Sequence, residues 1–415
     1  MSRKTSVLAL CSALGLLSLT VAEPATADET AAIEKGRYLS ILGGCAACHT
    51  VAGEEPFSGG VPLDTPFGLL VGSNITPDKE TGIGSWTFED FQNSMSEGKG
   101  KGGHHLYPAM PYPAYTKVTR EDNEALWAYF QSLKPVRKQI VSDQLPFPYD
   151  QRGLMIGWNL LNFSQGEFKP DPSKSETWNR GAYIVEGLGH CGSCHTPKSS
   201  LGGDEKSRPL AGYATPAWFS KDITSNSYSG IGDWSVDDLA EYMKTGRNRF
   251  DIATGPMATV VRGSSQYWND ADLKAVATYL KETPASATAA VEPLSGDDPR
   301  MANGADIYAL YCTGCHAPTG AGIHGIYPRL ADTSMMRGES ATSVLHVVVG
   351  GSRKNIDTAL NAPGMPPFGR PLTDTEIGDV VTFLRNRWGN AAGPVSDGDV
   401  KAMRDLLQKH SGAKE

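Results

Sequence analysis

Three copies of one five-residue string constrain this chain more than any other feature. Apart from Cys11, its seven cysteines fall into the pairs Cys45/Cys48, Cys191/Cys194 and Cys312/Cys315, and each pair is followed by a histidine: His49, His195 and His316. Positions i, i+3 and i+4 share one face of a helix. Two thiols one turn apart can reach the two vinyl groups of a single haem, and the adjacent imidazole then faces its iron. Cys-x-x-Cys-His is the attachment signature of c-type haem. A redox disulfide or half a zinc site also uses Cys-x-x-Cys. Three complete matches, however, consume every cysteine after Cys11. The expected cofactors are three covalently bound haem c groups, attached at the six cysteines, with His49, His195 and His316 as iron ligands.

The N-terminus agrees with this chemistry. Arg3 and Lys4 precede an apolar stretch over residues 7–21, and Ala25-Thr26-Ala27 supplies the small-x-small cleavage pattern. Residues 1–27 therefore read as a signal peptide, with a mature chain from Asp28 in the periplasm, where haem is ligated. No later run of 18 apolar residues occurs, so no transmembrane helix is expected. A formal charge of −8 argues against a nucleic-acid partner, which would need a basic surface.

Each motif sits in the same local context. A glycine and a tyrosine precede it: Gly36 and Tyr38, Gly181 and Tyr183, Gly304 and Tyr308. A capped helix closes each unit, with Tyr129, Tyr279 and Phe383 in matching positions. The first two units also share Gly-Ile-Gly-x-Trp, at residues 82–86 and 230–234, which makes Trp86 and Trp234 candidate haem-packing aromatics. The expected fold is all-α: three tandem class I cytochrome c domains at 28–136, 176–283 and 299–390. Linkers at 137–175 and 284–298 join them, and a polar tail follows at 391–415.

The sixth iron ligand decides between carrier and catalyst. Each unit offers one methionine in a Pro- or Gly-rich setting: Met110, Met257 and Met365. The first two lie 61 and 62 residues beyond their histidines, a shared register that outweighs the usual reading of methionine as core filler. His104, His105 and His346 are the competing ligands. A free-standing haem enzyme such as a peroxidase would need an open distal site, and three methionine candidates argue against that.

At this level of detail the sequence resembles a known family, the triheme cytochrome c subunits of membrane-bound bacterial dehydrogenases for alcohols and sugar acids. The strings that carry the resemblance are GRYLSILGGCAACHT, GGHHLYPAMPYPAY, LPFPYDQRGLMIGWNLL and NRGAYIVEGLGHCGSCHTP, with the segment around Met365. The resemblance implies an electron-transfer subunit with no substrate oxidation of its own. Electrons would pass from a flavin- or PQQ-containing catalytic subunit, through the haems, to ubiquinone at the periplasmic face of the inner membrane. It implies attachment at the six cysteines, with ligation by the three histidines and by Met110, Met257 and Met365. A soluble periplasmic multihaem shuttle and a cytochrome subunit of a molybdenum hydroxylase are the alternatives.

Ubiquinone is a bilayer molecule, so peripheral membrane contact is expected. The best candidate segment is 153–163, which carries Leu154, Met155, Ile156, Trp158, Leu160, Leu161 and Phe163. Eleven residues are too few to span. They would lie at the lipid interface or, alternatively, pack between units one and two. The tail, with Val400, Met403, Leu406 and Leu407 on one face, is the weaker candidate.

Overall fold

The computed structural model describes residues 27–352 and 363–412. The expected signal peptide lies almost entirely outside them. The chain is mostly helical. In the first unit run α1 (Ala27–Leu42), α2 (Ala46–His49), α3 (Phe88–Ser96), α4 (Tyr112–Tyr115) and α5 (Arg120–Ser132), followed by α6 (Leu154–Asn162). The second unit holds α7 (Glu176–Glu186), α8 (Gly192–His195), α9 (Val236–Thr245), α10 (Gly255–Gly263) and α11 (Asp270–Glu282). The third holds α12 (Pro299–Tyr311), α13 (Thr313–His316), α14 (Ser334–Arg337), α15 (Thr342–Gly350) and α16 (Asp374–Leu384), with α17 (Asp397–Gly412) behind it.

The all-α expectation holds in outline and needs one correction. β1 (Pro62–Thr65), β2 (Gly68–Val71) and β3 (Asp143–Gln144) form a small antiparallel sheet, and β4 (Tyr213–Ala214) pairs with β5 (Phe219–Ser220). These strands are two to four residues long, too short to leave an alternation in the sequence. The β1–β2 hairpin is closed by Thr65 Oγ1 donating to the Gly68 carbonyl at 2.7 Å.

One packing event is repeated three times. The opening helix crosses the closing helix at a glycine: Gly36 of α1 on α5, Gly181 of α7 on α11, Gly304 of α12 on α16. A Cβ at each glycine would overlap the carbonyl oxygen of Ala125, Ala275 or Asp379. It would also lie 2.7, 2.8 or 2.6 Å from the Cβ of Tyr129, Tyr279 or Phe383. Only glycine lets the two backbones approach so closely. The aligned aromatic on the closing helix is the other half of the crossing.

The closing helices are capped as their sequences suggest. Thr119, Asn269 and Thr373 accept from the backbone N–H of Asp122, Asp272 and Glu376. In α16 the Glu376 carboxylate reaches back to the Thr373 N–H at 2.7 Å, completing a capping box. In α5 and α11 that return bond is taken over by a tyrosine from the other unit. Tyr183 OH accepts from Thr119 N at 3.2 Å and donates to Asp122 at 2.6 Å. Tyr38 OH accepts from Asn269 N at 3.1 Å and donates to Asp272 at 2.8 Å. The first two units are thereby clasped reciprocally and share one continuous core. Tyr308 sits two residues out of this register. It packs on Phe383 and Trp388 in its own core and donates to the Ala317 carbonyl.

The third unit has a separate core and docks on the second. The Phe219 N–H donates to Ser343 Oγ at 2.8 Å, Trp218 stacks on His346 with ring centroids 3.9 Å apart, and Arg208 pairs with Glu339 at 2.8 Å. Val400 and Met403 of α17 are buried, and Leu406 and Leu407 pack against the same core. Among the described residues no helix is long and apolar enough to cross a membrane.

Candidate haem attachment sites

The three Cys-x-x-Cys-His strings adopt one local conformation. Each occupies a single turn, α2, α8 or α13, with the first cysteine just before it and the histidine at its end. None of the six cysteines is in a disulfide. Burial pushes the Cys45 and Cys191 thiols up to about 12 and Cys312 to about 11. Thiols so held stay neutral, unlike the acidic attacking cysteine of a redox couple.

Each histidine is oriented in the same way. Nδ1 faces a backbone carbonyl: His49 that of Ser73 at 2.6 Å, His195 that of Lys221 at 2.7 Å, His316 that of Pro328 at 3.0 Å. A protonated Nδ1 fixes the tautomer and leaves Nε2 with its lone pair for a metal. Burial draws all three imidazoles below their ordinary value, against the pull of the carbonyl, which favours the neutral form that ligation requires. The sequence named these histidines. It could not supply the carbonyls, which come from loops 12 to 26 residues downstream.

The third site is the most complete. Cys312, His316 and Met365 line one cavity, walled by Leu330, Met336, Val344, Val348, Leu372, Val380 and Leu384. That apolar lining, with a few convergent polar and sulfur groups, fits a cofactor pocket. Met365 is held by two bonds to one serine: its N–H donates to Ser352 Oγ, and the Ser352 N–H donates to its carbonyl, both at 2.9 Å. Met335 and Met336 line the same cavity, although no motif in the sequence marks that pair. His346 is not in that wall. It turns to the second unit, with Nδ1 on the Ala217 carbonyl at 2.9 Å.

Met110 and Met257 both pack against the core shared by the first two units. Met110 precedes α4, where Pro111 is the N-cap residue, and Met257 lies in the first turn of α10. At the head of α10, Gly255 has φ +51° and lies against the Trp218 indole, so no side chain fits there. His104 is exposed, with Nδ1 on the Lys101 carbonyl, whereas His105 Nδ1 is buried with no partner among the described residues. Trp234 is a buried core residue, stacked on Phe250 at 5.5 Å beneath the Lys221 ammonium. Trp86 is partly buried against the same core.

The sites are neighbours. Burial, and next the nearby Cys194 of the second unit, raise the Cys48 thiol. α10 packs on α2, with Ser264 Oγ donating to the Ile41 carbonyl, and in return Tyr115 of α4 meets His190 beside Cys191 at 5.7 Å. On the other side, Asp251, Ile252 and Thr254, the residues leading to Met257, form part of the third cavity's wall. The second site therefore lies between the first and the third.

Comparison with known proteins places this geometry. The cytochrome c family model matches residues 33–134, 179–284 and 301–388. The chain belongs to the cytochrome c family. Within it, the chain falls with the cytochrome subunits of membrane-bound dehydrogenases. It is 38% identical to the gluconate 2-dehydrogenase cytochrome c subunit of Pantoea cypripedii, over 98% of this chain and 97% of that one. It is 36% identical to the cytochrome c subunit of the quinone alcohol dehydrogenase of Gluconobacter oxydans, over 95% of this chain and 87% of that one. A nicotinate dehydrogenase subunit of Pseudomonas putida is 38% identical over 86% of this chain, which covers 30% of that longer protein.

Proposed function

We propose that the chain is a triheme electron-transfer subunit. It takes electrons from a flavin- or PQQ-containing dehydrogenase subunit and passes them to ubiquinone at the periplasmic face of the inner membrane. The observation that carries this reading is the third cavity, where an attachment cysteine, an oriented histidine and a fixed methionine meet within apolar walls. Three class I cytochrome c domains, at 28–136, 176–283 and 299–390, each hold one haem. Cys45 and Cys48, Cys191 and Cys194, and Cys312 and Cys315 form the thioethers. His49, His195 and His316 are the proximal ligands, and Met110, Met257 and Met365 the distal ones. Bound haem supplies a one-electron redox centre, and histidine–methionine ligation sets it at a high potential.

The protein's contribution is orientation and exclusion. Backbone carbonyls fix the imidazole rings, the buried aliphatic side chains would keep water from a bound haem, and the methionine would be the residue that holds its remaining ligand position against substrates. Electrons move between adjacent sites, with the second in the middle. Full-length similarity to subunits of gluconate and alcohol dehydrogenases supports the choice of partner class. A molybdenum hydroxylase partner is the second reading, favoured by the likeness to the nicotinate dehydrogenase subunit.

The test is to purify the chain from its native membrane and identify what accompanies it. A flavin or PQQ subunit whose substrate reduces the haems supports the proposal. The complex without this chain should still reduce artificial dyes and fail with ubiquinone. A chain that purifies alone and is reduced by no co-expressed dehydrogenase is a soluble shuttle instead.

A further inference from the structure

An ion pair stands between the second and third sites. Lys221 Nζ meets Asp251 Oδ2 at 2.7 Å, and the two side chains are 8% and 16% exposed. The ammonium lies over the Trp234 ring at 4.2 Å, with Tyr242 next at 5.5 Å. At the other end Asp251 Oδ1 accepts from the Ile252 N–H at 2.8 Å. Salt and water screen a pair held this way far less than one on the surface. A buried pair often stabilises no more than apolar side chains of similar volume would, so stability alone does not account for it.

Each end of the pair belongs to a different site. The Lys221 carbonyl is the one that faces His195 Nδ1 at 2.7 Å, while Asp251 lies in the wall of the cavity lined by Cys312, His316 and Met365. The other two histidines have uncharged residues in the place of Lys221: Ser73 for His49 and Pro328 for His316. The first unit lacks the anion as well. Lys99 bridges His105 as Arg247 bridges Ile252, so His104 takes the place of Asp251 there. Burial draws the His195 imidazole down, and the Lys221 ammonium draws it down further, against the pull of the carbonyl. Lys221 thus disfavours positive charge on that ring, and the same field acts on positive charge gathered at a metal the ring binds.

We propose that the Lys221–Asp251 pair holds the reduction potentials of the second and third haems apart, the ammonium raising the second and the carboxylate lowering the third. The inference rests on haem occupying both sites, as proposed above. An oxidised haem carries one more positive charge than a reduced one, so a neighbouring cation favours the reduced form and a neighbouring anion the oxidised form. Oriented this way, the pair favours an electron at the second site over one at the third. Two further charged groups act on His195. Asp222, 2% exposed, accepts from the Thr224 N–H and from the Ser229 and Ser286 hydroxyls, and Lys198 pairs with Asp204. Both stay in place in the variants below, so each shift reports on the pair.

The experiment is a spectroelectrochemical titration of the purified mature holoprotein. Cys191→Ala/Cys194→Ala and Cys312→Ala/Cys315→Ala each delete one wave and so assign the second and the third. Lys221→Met should lower the second wave by about tenfold in its reduction equilibrium, ~59 mV for one electron, and Lys221→Arg should keep it near the wild-type position. Asp251→Asn should raise the third wave. Lys221→Met/Asp251→Asn leaves neither charge unpaired, so it should fold and keep its haems even where a single variant does not, and it should bring the two waves closer together. A gap that is unchanged in the double variant overturns the inference. So do Lys221→Met and Asp251→Asn proteins whose waves move in the same direction, as loosened packing would produce. A protein without haem at the second or third site overturns the proposed function along with the inference, whereas three haems with an unmoved gap overturn the inference alone.

Discussion

Removing the Tyr183 hydroxyl should weaken the clasp between the first two units more than removing that of Tyr38. The Tyr183 phenol is 7% exposed, and the Asp122 carboxylate it serves is 8% exposed. In Tyr183→Phe, the Thr119 N–H loses its acceptor, and Asp122 keeps an ion pair with Lys35 of its own unit, at 2.9 Å, but loses its bond to the second unit. A hydrogen bond to a charged group contributes about 1.5–3 kcal/mol, and the part-buried Thr119 N–H left without its acceptor adds to the loss. The expected cost is about 3 kcal/mol. Tyr38→Phe should cost about 1.5 kcal/mol, because Arg180 still holds Asp272 with two bonds at 2.7 and 3.0 Å. Arg180 bonds Asp272 and lies over the Tyr183 ring at 5.7 Å, so the two effects should couple instead of simply adding. Guanidinium unfolding of the holoprotein, followed by circular dichroism, measures both single variants and the double one. A Tyr183→Phe protein within about 0.5 kcal/mol of wild type, or one less affected than Tyr38→Phe, would refute the reasoning.

Three further outcomes follow from the same structure. Burial holds the Tyr38 phenol up to about 12, so the folded chain binds that proton more tightly than the unfolded one; its contribution to stability should be whole below pH 10 and vanish between pH 10 and 12, and Tyr38→Phe should remove that part of the alkaline loss. Gly181→Ala should destabilise by about 3 kcal/mol through overlap with α11, whereas Gly263→Ala, with nothing within 4 Å of the added carbon, should be neutral or stabilising in the same unfolding assay. Met257→Leu should lower one haem potential in a redox titration and remove about a third of the methionine–iron absorption, since the thioether ligand raises the potential; an unchanged titration would reject Met257 as a ligand.

The sequence carried what is local. A Cys-x-x-Cys-His turn, a glycine at each helix crossing and a Thr or Asn cap each depend on a few consecutive residues, and each could be read directly. The pairing of units could not, because it rests on Tyr38 and Tyr183 entering caps more than sixty residues away. The nearest sign was the register: Tyr38 and Tyr183 stand two residues after their glycine and Tyr308 stands four after, with Asp306 in the shared position. The outward turn of α6, in which no residue is buried and Leu160 is 86% exposed, was hidden for another reason. An apolar stretch of nine residues reads alike whether it lies in a core or on a surface, and only the inward contacts of Asn159 with Tyr112 and of Asn162 with Gly203 separate the two. His346, on an apolar helix near the third motif, had the composition of a ligand, yet its stack on Trp218 takes it to the second unit.

Everything proposed for this chain depends on its holding three haems, and intact mass spectrometry of the purified mature protein, paired with a pyridine haemochrome assay, tests that directly. The expected result is a mass increment of three haems and a haem-to-protein ratio of three, with Cys191→Ala/Cys194→Ala reducing both to two. A wild-type protein that carries two haems, or one that keeps all three after that substitution, would contradict it.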